Sequence, residues 1–379
     1  MISTREQLPT ARRWVVKIGS ALLTADGRGL DVERLRGWAG QIATLHQRGC
    51  EVVLVSSGAV AEGLARLGWL TRPSALSEVQ AAASVGQAGL VEAYSRCFHA
   101  YGLRTAQVLL THDDVAHRGR YLNARSTLLR LLELGVIPIV NENDAIATDE
   151  IRVGDNDTMA ALTVNLLDAH GLIILTDQAG VYDADPRVQP DARLISQCAA
   201  HDRNLLVSAA STGGALGRGG MRTKILAARQ AADSGAFTVI ADGLAPDVLA
   251  RVTSGDEVGT LLLPASGARR AARKNWIAGQ RRLRGSVRID AGAARVLREA
   301  GRSLLPIGMT EIEGEFRRGD LVACIDPDGR EIAQGLANYD AREARLLCGQ
   351  ASERINALLG YGGEAEFIHR DNLVVTRED

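Results

Sequence analysis

The sequence predicts an α/β fold: a mostly parallel sheet sandwiched by helices, followed by a small β-rich C-terminal domain. Three observations carry that reading. From Trp14 to Ile240, strand-like apolar runs alternate with helical patterns, as βαβ units do. The alternation stops near Pro264. The chain has 379 residues, 46% hydrophobic and 23% charged, an ordinary globular composition. At roughly 150 residues per domain it has room for about two domains and a sizeable core.

Each element follows from its residues. Trp14–Ile18 reads as a buried strand entering the turn Gly19–Ser20. Asp31 can cap a helix running to Arg48, closed by Gly49. Glu51–Val55 is a second strand, leading to Ser56–Ser57–Gly58. Ser77 and Gln80 read as a capping box for a long Ala-rich helix to about Tyr101. Arg104–Leu110 is a third strand, Leu122–Leu134 a helix ended by Gly135, and Val136–Val140 a fourth strand. A helix over Thr158–Ala169 precedes a fifth strand, Leu172–Leu175. Met221–Ser234 is a helix leading to the strand Ala236–Ile240. Beyond Pro264 come one short helix, Asp290–Ala300, and strand-like runs at Leu321–Ile325 and Glu331–Ala333 around the turn Asp328–Gly329. The expected division is 1–267, a linker at 268–284 and a second domain at 285–379. Positions 269–288 carry eight basic residues and no acid, a solvated hinge or subunit contact.

Composition excludes several classes. The net charge is −1 and aromatics are 4%, unlike a basic, base-stacking nucleic-acid binder. The longest apolar runs, such as Val136–Val140, are far short of the ~20 residues that span a bilayer. Residues 1–13 lack the apolar stretch of a secretory signal. The five cysteines are scattered, with no Cys-x-x-Cys pair. Reduced thiols in the cytoplasm are expected, with neither a disulfide framework nor a cysteine zinc site. The histidines show no metal spacing; His112 and His117, flanking Asp113 and Asp114, read as a loop. No metal ligands are assigned.

Of 44 Lys and Arg residues only Lys17, Lys224 and Lys274 are lysines. A position that stays Lys against so strong an Arg bias points to a need for a compact ammonium. Lys274 lies among arginines, but Lys17 and Lys224 each adjoin a Gly-containing turn, where phosphates are held. Gly213–Gly220 leads into the helix that carries Lys224 in its first turn. Glycines let backbone N–H groups approach phosphate, and a helix N-terminus favours an anion. Neither a Walker A nor a Gly-x-Gly-x-x-Gly motif is present.

Ligands on open α/β sheets bind at the carboxyl ends of the strands, so the turns after Ile18, Val55, Val140 and Leu175 should face one site. The turn after Val140 is acidic and amide-rich: Asn141, Glu142, Asn143, Asp144, Asp149, Glu150, then Gly154 to Asp157. These groups could hold an ammonium, orient the lysines, support Mg²⁺ or cap a helix. Ser56–Ser57–Gly58 offers a hydroxyl and amides to an anion, or a plain helix cap. Thr176–Asp177 could touch a nucleotide or form a turn. Together the lysines, glycines and acids fit phosphoryl transfer by positioning and charge neutralisation. No general base stands out, which fits a carboxylate acceptor, already a nucleophile at neutral pH.

Six segments, in order along the chain, resemble bacterial glutamate 5-kinase: Trp14–Ser20, Leu54–Ala59, Asn141–Asp144, Val153–Asp157, Leu175–Asp177 and Gly219–Lys224. Residues 285–369 resemble the PUA domain that follows the kinase domain in many members, through Ser303–Pro306 and Leu359–Tyr361. The resemblance implies an amino-acid-kinase fold and ATP-dependent phosphorylation of the γ-carboxylate of L-glutamate, with Mg²⁺. That reaction is the first step of proline biosynthesis, and proline is the expected inhibitor. Lys17 and Lys224 would neutralise the transferring phosphoryl group, oriented by Asp157. Ser57, Gly58, Asp144 and Asn156 would bind glutamate. Lys17, Gly19, Ser20, Thr176, Asp177, Arg218, Gly219, Gly220, Met221, Arg222, Thr223 and Lys224 would bind ATP. Arg218 departs from the family, which usually has a small residue there. A homo-oligomer, dimer or tetramer, is expected. The alternatives are another carboxylate kinase, for acetylglutamate or aspartate, and RNA binding through the PUA domain. From Gly285 onward 12 arginines face 17 acids, which opposes RNA binding.

Overall fold

The computed structural model describes residues 2–24, 29–147, 156–206, 220–265 and 283–376. Asp149, Glu150, Val153, Gly154 and Asp155 lie outside these residues, as do the glycine-rich stretch 213–219 with Arg218 and Gly219, and the basic linker as far as 282, with Lys274. The chain divides into two compact units, Met1–Val115 with Ala124–Arg269, and Ala116–Asn123 with Arg270–Asp379.

The first unit is built on a sheet of eight strands: β1 (Arg13–Ile18), β2 (Glu51–Val55), β3 (Arg104–Leu110), β4 (Val136–Glu142), β5 (Gly171–Thr176), β6 (Gln197–Ala199), β7 (Phe237–Asp242) and β8 (Thr260–Leu263). Their order is β3-β4-β2-β1-β5-β7-β8-β6. The pairs from β3 to β7 are parallel. β8 runs antiparallel to β7 and parallel to β6, so the sheet is mostly parallel, as expected. β1 is central, between β2 and β5, and its residues from Trp14 onward are all buried. Burial on both faces is why the central strands read as continuous apolar runs. Lys17 pairs in register with Val55 and Ile174. The chain leaves β1 toward β2 on one side and returns as β5 on the other, which opens a crevice at the carboxyl ends.

Helices cover the sheet: α1 (Val32–Gln47), α2 (Ala59–Leu67), α3 (Leu76–His99), α4 (Arg118–Glu133), α5 (Asn156–Leu167), α6 (Met221–Asp233) and α7 (Val248–Ser254). Asp31 caps α1 as expected, accepting from the Arg34 amide at 3.1 Å. The Ser77–Gln80 capping box does not form. α3 begins at Leu76, with Ala75 as its cap, so Ser77 is already inside the first turn. The Gln80 amide instead donates to the Ala147 carbonyl at 3.1 Å. The His112 segment, expected as a loop, is a helical turn over His112–Ala116, opened by Thr111 donating to the Asp114 carboxylate.

The second unit holds a five-stranded sheet, ordered β10-β9-β11-β12-β13: β9 (Gly285–Ile289), β10 (Met309–Gly314), β11 (Leu321–Ile325), β12 (Glu331–Leu336) and β13 (Leu373–Val375). β9 and β11 are parallel and the other pairs antiparallel. Its expected single helix, α8 (Ala291–Ala300), is capped by Asp290. Two more are present, α9 (Ala341–Leu347), opened by an Asp340–Glu343 capping box, and α10 (Ile355–Leu359). Each unit has its own apolar core, one around Trp14, Ile173 and Phe237, the other around Val287, Tyr339 and Phe367. All five cysteines are free thiols. Among the described residues no helix is long and apolar enough to cross a membrane.

Candidate active site

The carboxyl ends of β1, β2, β4 and β5 and the first turns of α5 and α6 bring the sequence-predicted residues together. At the centre is a buried charge cluster. Asp157, in the first turn of α5, holds Lys17 Nζ at 2.7 Å through Oδ1 and Lys224 Nζ at 3.2 Å through Oδ2. Thr223 donates its hydroxyl to the same Oδ2 at 2.7 Å. The three charged side chains are at most 6% exposed. Their sum is one positive charge, and two helix N-termini add to it.

Burial pushes the Asp157 carboxyl up, but the charges of Lys17 and Lys224 and the hydrogen bonds from Lys17 and Thr223 outweigh it, so it lies below its ordinary value. Burial lowers Lys224 below the usual lysine value, and the Asp157 charge opposes that fall without cancelling it. Gly220 caps α6 without a side-chain hydrogen bond, leaving that helix end to an incoming anion.

Asn156, immediately before Asp157, belongs to a different wall. With Ser57, Gly58, Asp144, Asn141, Glu142, Ser20 and Arg72 it lines a cavity of about 330 Å³. Asn156 Nδ2 donates to Ser57 Oγ at 3.0 Å, and its Oδ1 is buried with no hydrogen-bond partner. Gly58 has φ +95°, a left-handed conformation suited to glycine. It turns the chain from β2 into α2. Burial raises the Asp144 carboxyl to about 6, with the Arg72 charge pulling it down.

Among the residues expected to meet a nucleotide, Thr176 ends β5 and donates to the Asp177 carboxylate at 3.1 Å. The Gly19 amide donates to the Leu175 carbonyl at 3.3 Å. A Cβ on Gly19 would stand 3.8 Å from Lys17 Nζ. Met221 is buried at the start of α6, and Arg222 is exposed. Ser20, expected at the nucleotide, lines the cavity with Ser57 and Asp144. Arg218 and Gly219 fall outside the described residues. Among those residues no three His, Cys, Asp or Glu side chains sit together to hold a metal.

Sequence reasoning missed Arg72 in the cavity wall and two buried polar residues of α3, Gln87 and Tyr94. Nothing in its surroundings marks Arg72. Gln87 falls on the helix stripe otherwise made of Val79, Ala83, Gly86 and Leu90, and that periodicity is the signal that could have found it.

The comparisons with known proteins give the class, a kinase of small acidic groups. A model of the amino acid kinase family matches residues 12–242 and one of the PUA domain matches residues 285–359. A glutamate 5-kinase of Thioalkalivibrio sulfidiphilus is 62% identical over 99% of this chain and 100% of its own. One of Chromohalobacter salexigens is 60% identical over 98% of each. One of Methylococcus capsulatus is 58% identical over 99% of this chain and 100% of its own. A solved UMP kinase of Bacillus anthracis, 17% identical, overlays 67% of this chain with a TM-score of 0.47, too loose a likeness to add to the assignment. The chain belongs to the amino acid kinase family and, within it, to the glutamate 5-kinases, phosphotransferases with a carboxyl group as acceptor.

Proposed function

We propose that this chain phosphorylates the γ-carboxylate of L-glutamate with ATP, giving L-glutamyl 5-phosphate and ADP, the first step of proline biosynthesis. The observation that carries the reading is the Lys17–Asp157–Lys224 cluster, set one residue along α5 from the Asn156 cavity. A glutamate γ-carboxylate oxygen attacks the γ-phosphorus, and the bond to the β,γ-bridging oxygen breaks. The two ammonium groups neutralise charge on the transferring oxygens while Asp157 fixes their positions. The acceptor is already ionised, so no proton has to be removed. Asp144 and Asn156 Oδ1 accept from the substrate ammonium, and Ser57 and the Gly58 turn hold a carboxylate.

ATP lies along Gly19, Thr176, Asp177 and the segment 218–224. Mg²⁺ bound with the nucleotide would supply further neutralisation of the phosphate charge. Acetylglutamate lacks the ammonium that Asp144 would hold, which favours glutamate. Proline carries both a carboxylate and an ammonium-type nitrogen and competes for the same cavity. The catalytic part is assigned to 1–267 and the PUA part to 285–379, joined by 268–284, in a cytoplasmic homo-oligomer. A coupled ADP-release assay across glutamate, acetylglutamate and aspartate tests the reading. A preference for acetylglutamate at equal concentration would sink it.

A further inference from the structure

Gln87 lies on α3, outside the cavity lining, yet it is 8% exposed and points its amide at a residue that does line the cavity. Its Oε1 accepts from Asn141 Nδ2 at 2.7 Å. The orientation of that pair is forced. Asn141 Oδ1 accepts from the backbone N–H of Glu142 at 3.0 Å, and an N–H can only donate. Nδ2 therefore faces Gln87, which must present oxygen. The remaining end, Gln87 Nε2, is buried without a partner. A buried amide with an unmatched donor is costlier than Leu or Met at the same place, so packing does not explain why Gln is there.

A second side chain on the same face of α3, two turns on, makes a parallel contact. Tyr94 OH lies 3.0 Å from Ser56 Oγ. Ser56 gives its single proton to the Ser57 carbonyl at 3.1 Å, so Tyr94 is the donor. The α3 face thus reaches the ends of β4 and β2 behind the two turns that line the cavity.

We propose that Gln87 is a positioning residue for the acceptor substrate: by accepting from Nδ2 it braces the Asn141 side chain, part of the cavity lining, from behind. The inference rests on the proposed acceptor site. Without the Gln87 oxygen the Asn141 side chain keeps only its bond from the Glu142 N–H, and the cavity wall loses one of the two contacts that hold it while the lysine cluster is untouched.

The test is steady-state kinetics of the full-length chain. Gln87→Met keeps the size and removes the acceptor; Gln87→Asn keeps the amide but shortens its reach. Each is expected to raise the glutamate KM about tenfold, the scale of one lost neutral hydrogen bond. The ATP KM and kcat should stay within about twofold, because no nucleotide contact changes. In an Asn141→Ala background, Gln87→Met should add nothing further, since Gln87 acts only through Asn141. A folded variant with parental glutamate KM overturns the proposal. So does full additivity with Asn141→Ala, or loss of folding in both Gln87 variants, which would make Gln87 a packing residue. The parental chain separates this from the functional reading. If another carboxylate proves to be the acceptor, that reading fails, and the Gln87 effect is read on the KM of the acceptor that works.

Discussion

A Cβ on Gly86 of α3 would stand 1.8 Å from the carbonyl oxygen of Ala59, the first residue of α2. Gly63 makes the reciprocal approach, its Cβ falling 1.7 Å from the Ala82 carbonyl. The two helices cross with their backbones in contact, and Ser56, just before the Ser57–Gly58 turn, meets Tyr94 of the helix that carries Gln87.

Gly86→Ala is therefore expected to reverse the usual helix preference. Ala in place of Gly within a helix normally gains about 0.8–1 kcal/mol. Here the methyl meets backbone that cannot retreat without moving α2, and overpacking of this kind costs about 1–3 kcal/mol or more. Gly37→Ala on α1, with no atom within 4 Å of the new Cβ, should show the ordinary gain. Urea unfolding of the two variants checks the pair. A Gly86→Ala chain as stable as Gly37→Ala would mean that the helices separate freely.

Lys224→Arg keeps the charge and should still cripple turnover. Lys224 is 5% exposed, with its Nζ 3.2 Å from Asp157 Oδ2. A planar guanidinium is larger and cannot take a point position between that carboxylate and a transferring oxygen. Losing one preorganised charge of this kind typically lowers kcat about 10²–10³-fold, with a smaller effect on the glutamate KM. Lys274→Arg, outside the described residues, should be tolerated. Near-parental kcat in both variants would make Lys224 an ordinary cation.

The legible parts of this chain are those whose partners are local or whose residue type is rare. β2, β3 and β11 fall on the residues the apolar runs mark. The turns that carry Lys17, Ser57, Thr176 and the first residues of α5 do meet at one edge, because parallel strands place their carboxyl ends together. β6 was not legible: it is three residues, Gln-Cys-Ala, with alternating exposure on a sheet edge. α9 and α10 hide in short segments, where periodicity has too few turns to register. Gln87 and Asn141 are 54 positions apart, and no local pattern announces that one accepts from the other. Ser20 also lines the cavity beside Ser57 and Asp144, a neighbour relation that the glycine turn beside a lysine does not announce.

Asp157→Asn should cost both activity and stability. It leaves two buried ammonium groups without their countercharge, and removing one partner of a buried ion pair costs about 3–5 kcal/mol. The pH dependence has a definite sign. Asp157 lies below its ordinary 3.8 in the folded chain, so the unfolded chain binds its proton first as pH falls. Its stabilisation is complete above the unfolded value and fades as pH drops through the folded one. The stability gap between parental chain and variant should be constant from pH 6 to 8 and should narrow below about pH 4. Denaturant melts across that range measure it. A gap that widens in acid would place the carboxyl pKa on the other side of its ordinary value.

Asp144 gives the opposite sign and a kinetic readout. Burial raises its carboxyl to about 6, so the ionised form that would hold the substrate ammonium is lost as pH falls through that value. The glutamate ammonium stays charged and its γ-carboxylate, near 4.3 in the free side chain, stays ionised between pH 5 and 7, so a limb in that range belongs to the enzyme. kcat/KM for glutamate, which reports the free enzyme and free substrate, should fall toward tenfold per unit below pH about 6, with a slope of one proton. kcat/KM for ATP at saturating glutamate should lack the limb, because bound ammonium holds Asp144 ionised. Asp144→Asn should remove the limb and lower kcat/KM for glutamate at pH 8 by about 10–10²-fold, the scale of one charge-assisted hydrogen bond. Stability should respond the other way. A carboxyl raised on folding favours the folded state as pH falls from about 6 toward 3.8, so Asp144→Asn should be the more stable chain at pH 7 and lose that advantage near pH 4. A parental profile flat down to pH 5, or an Asp144→Asn variant that keeps the acid limb, would show that Asp144 does not meet the substrate ammonium.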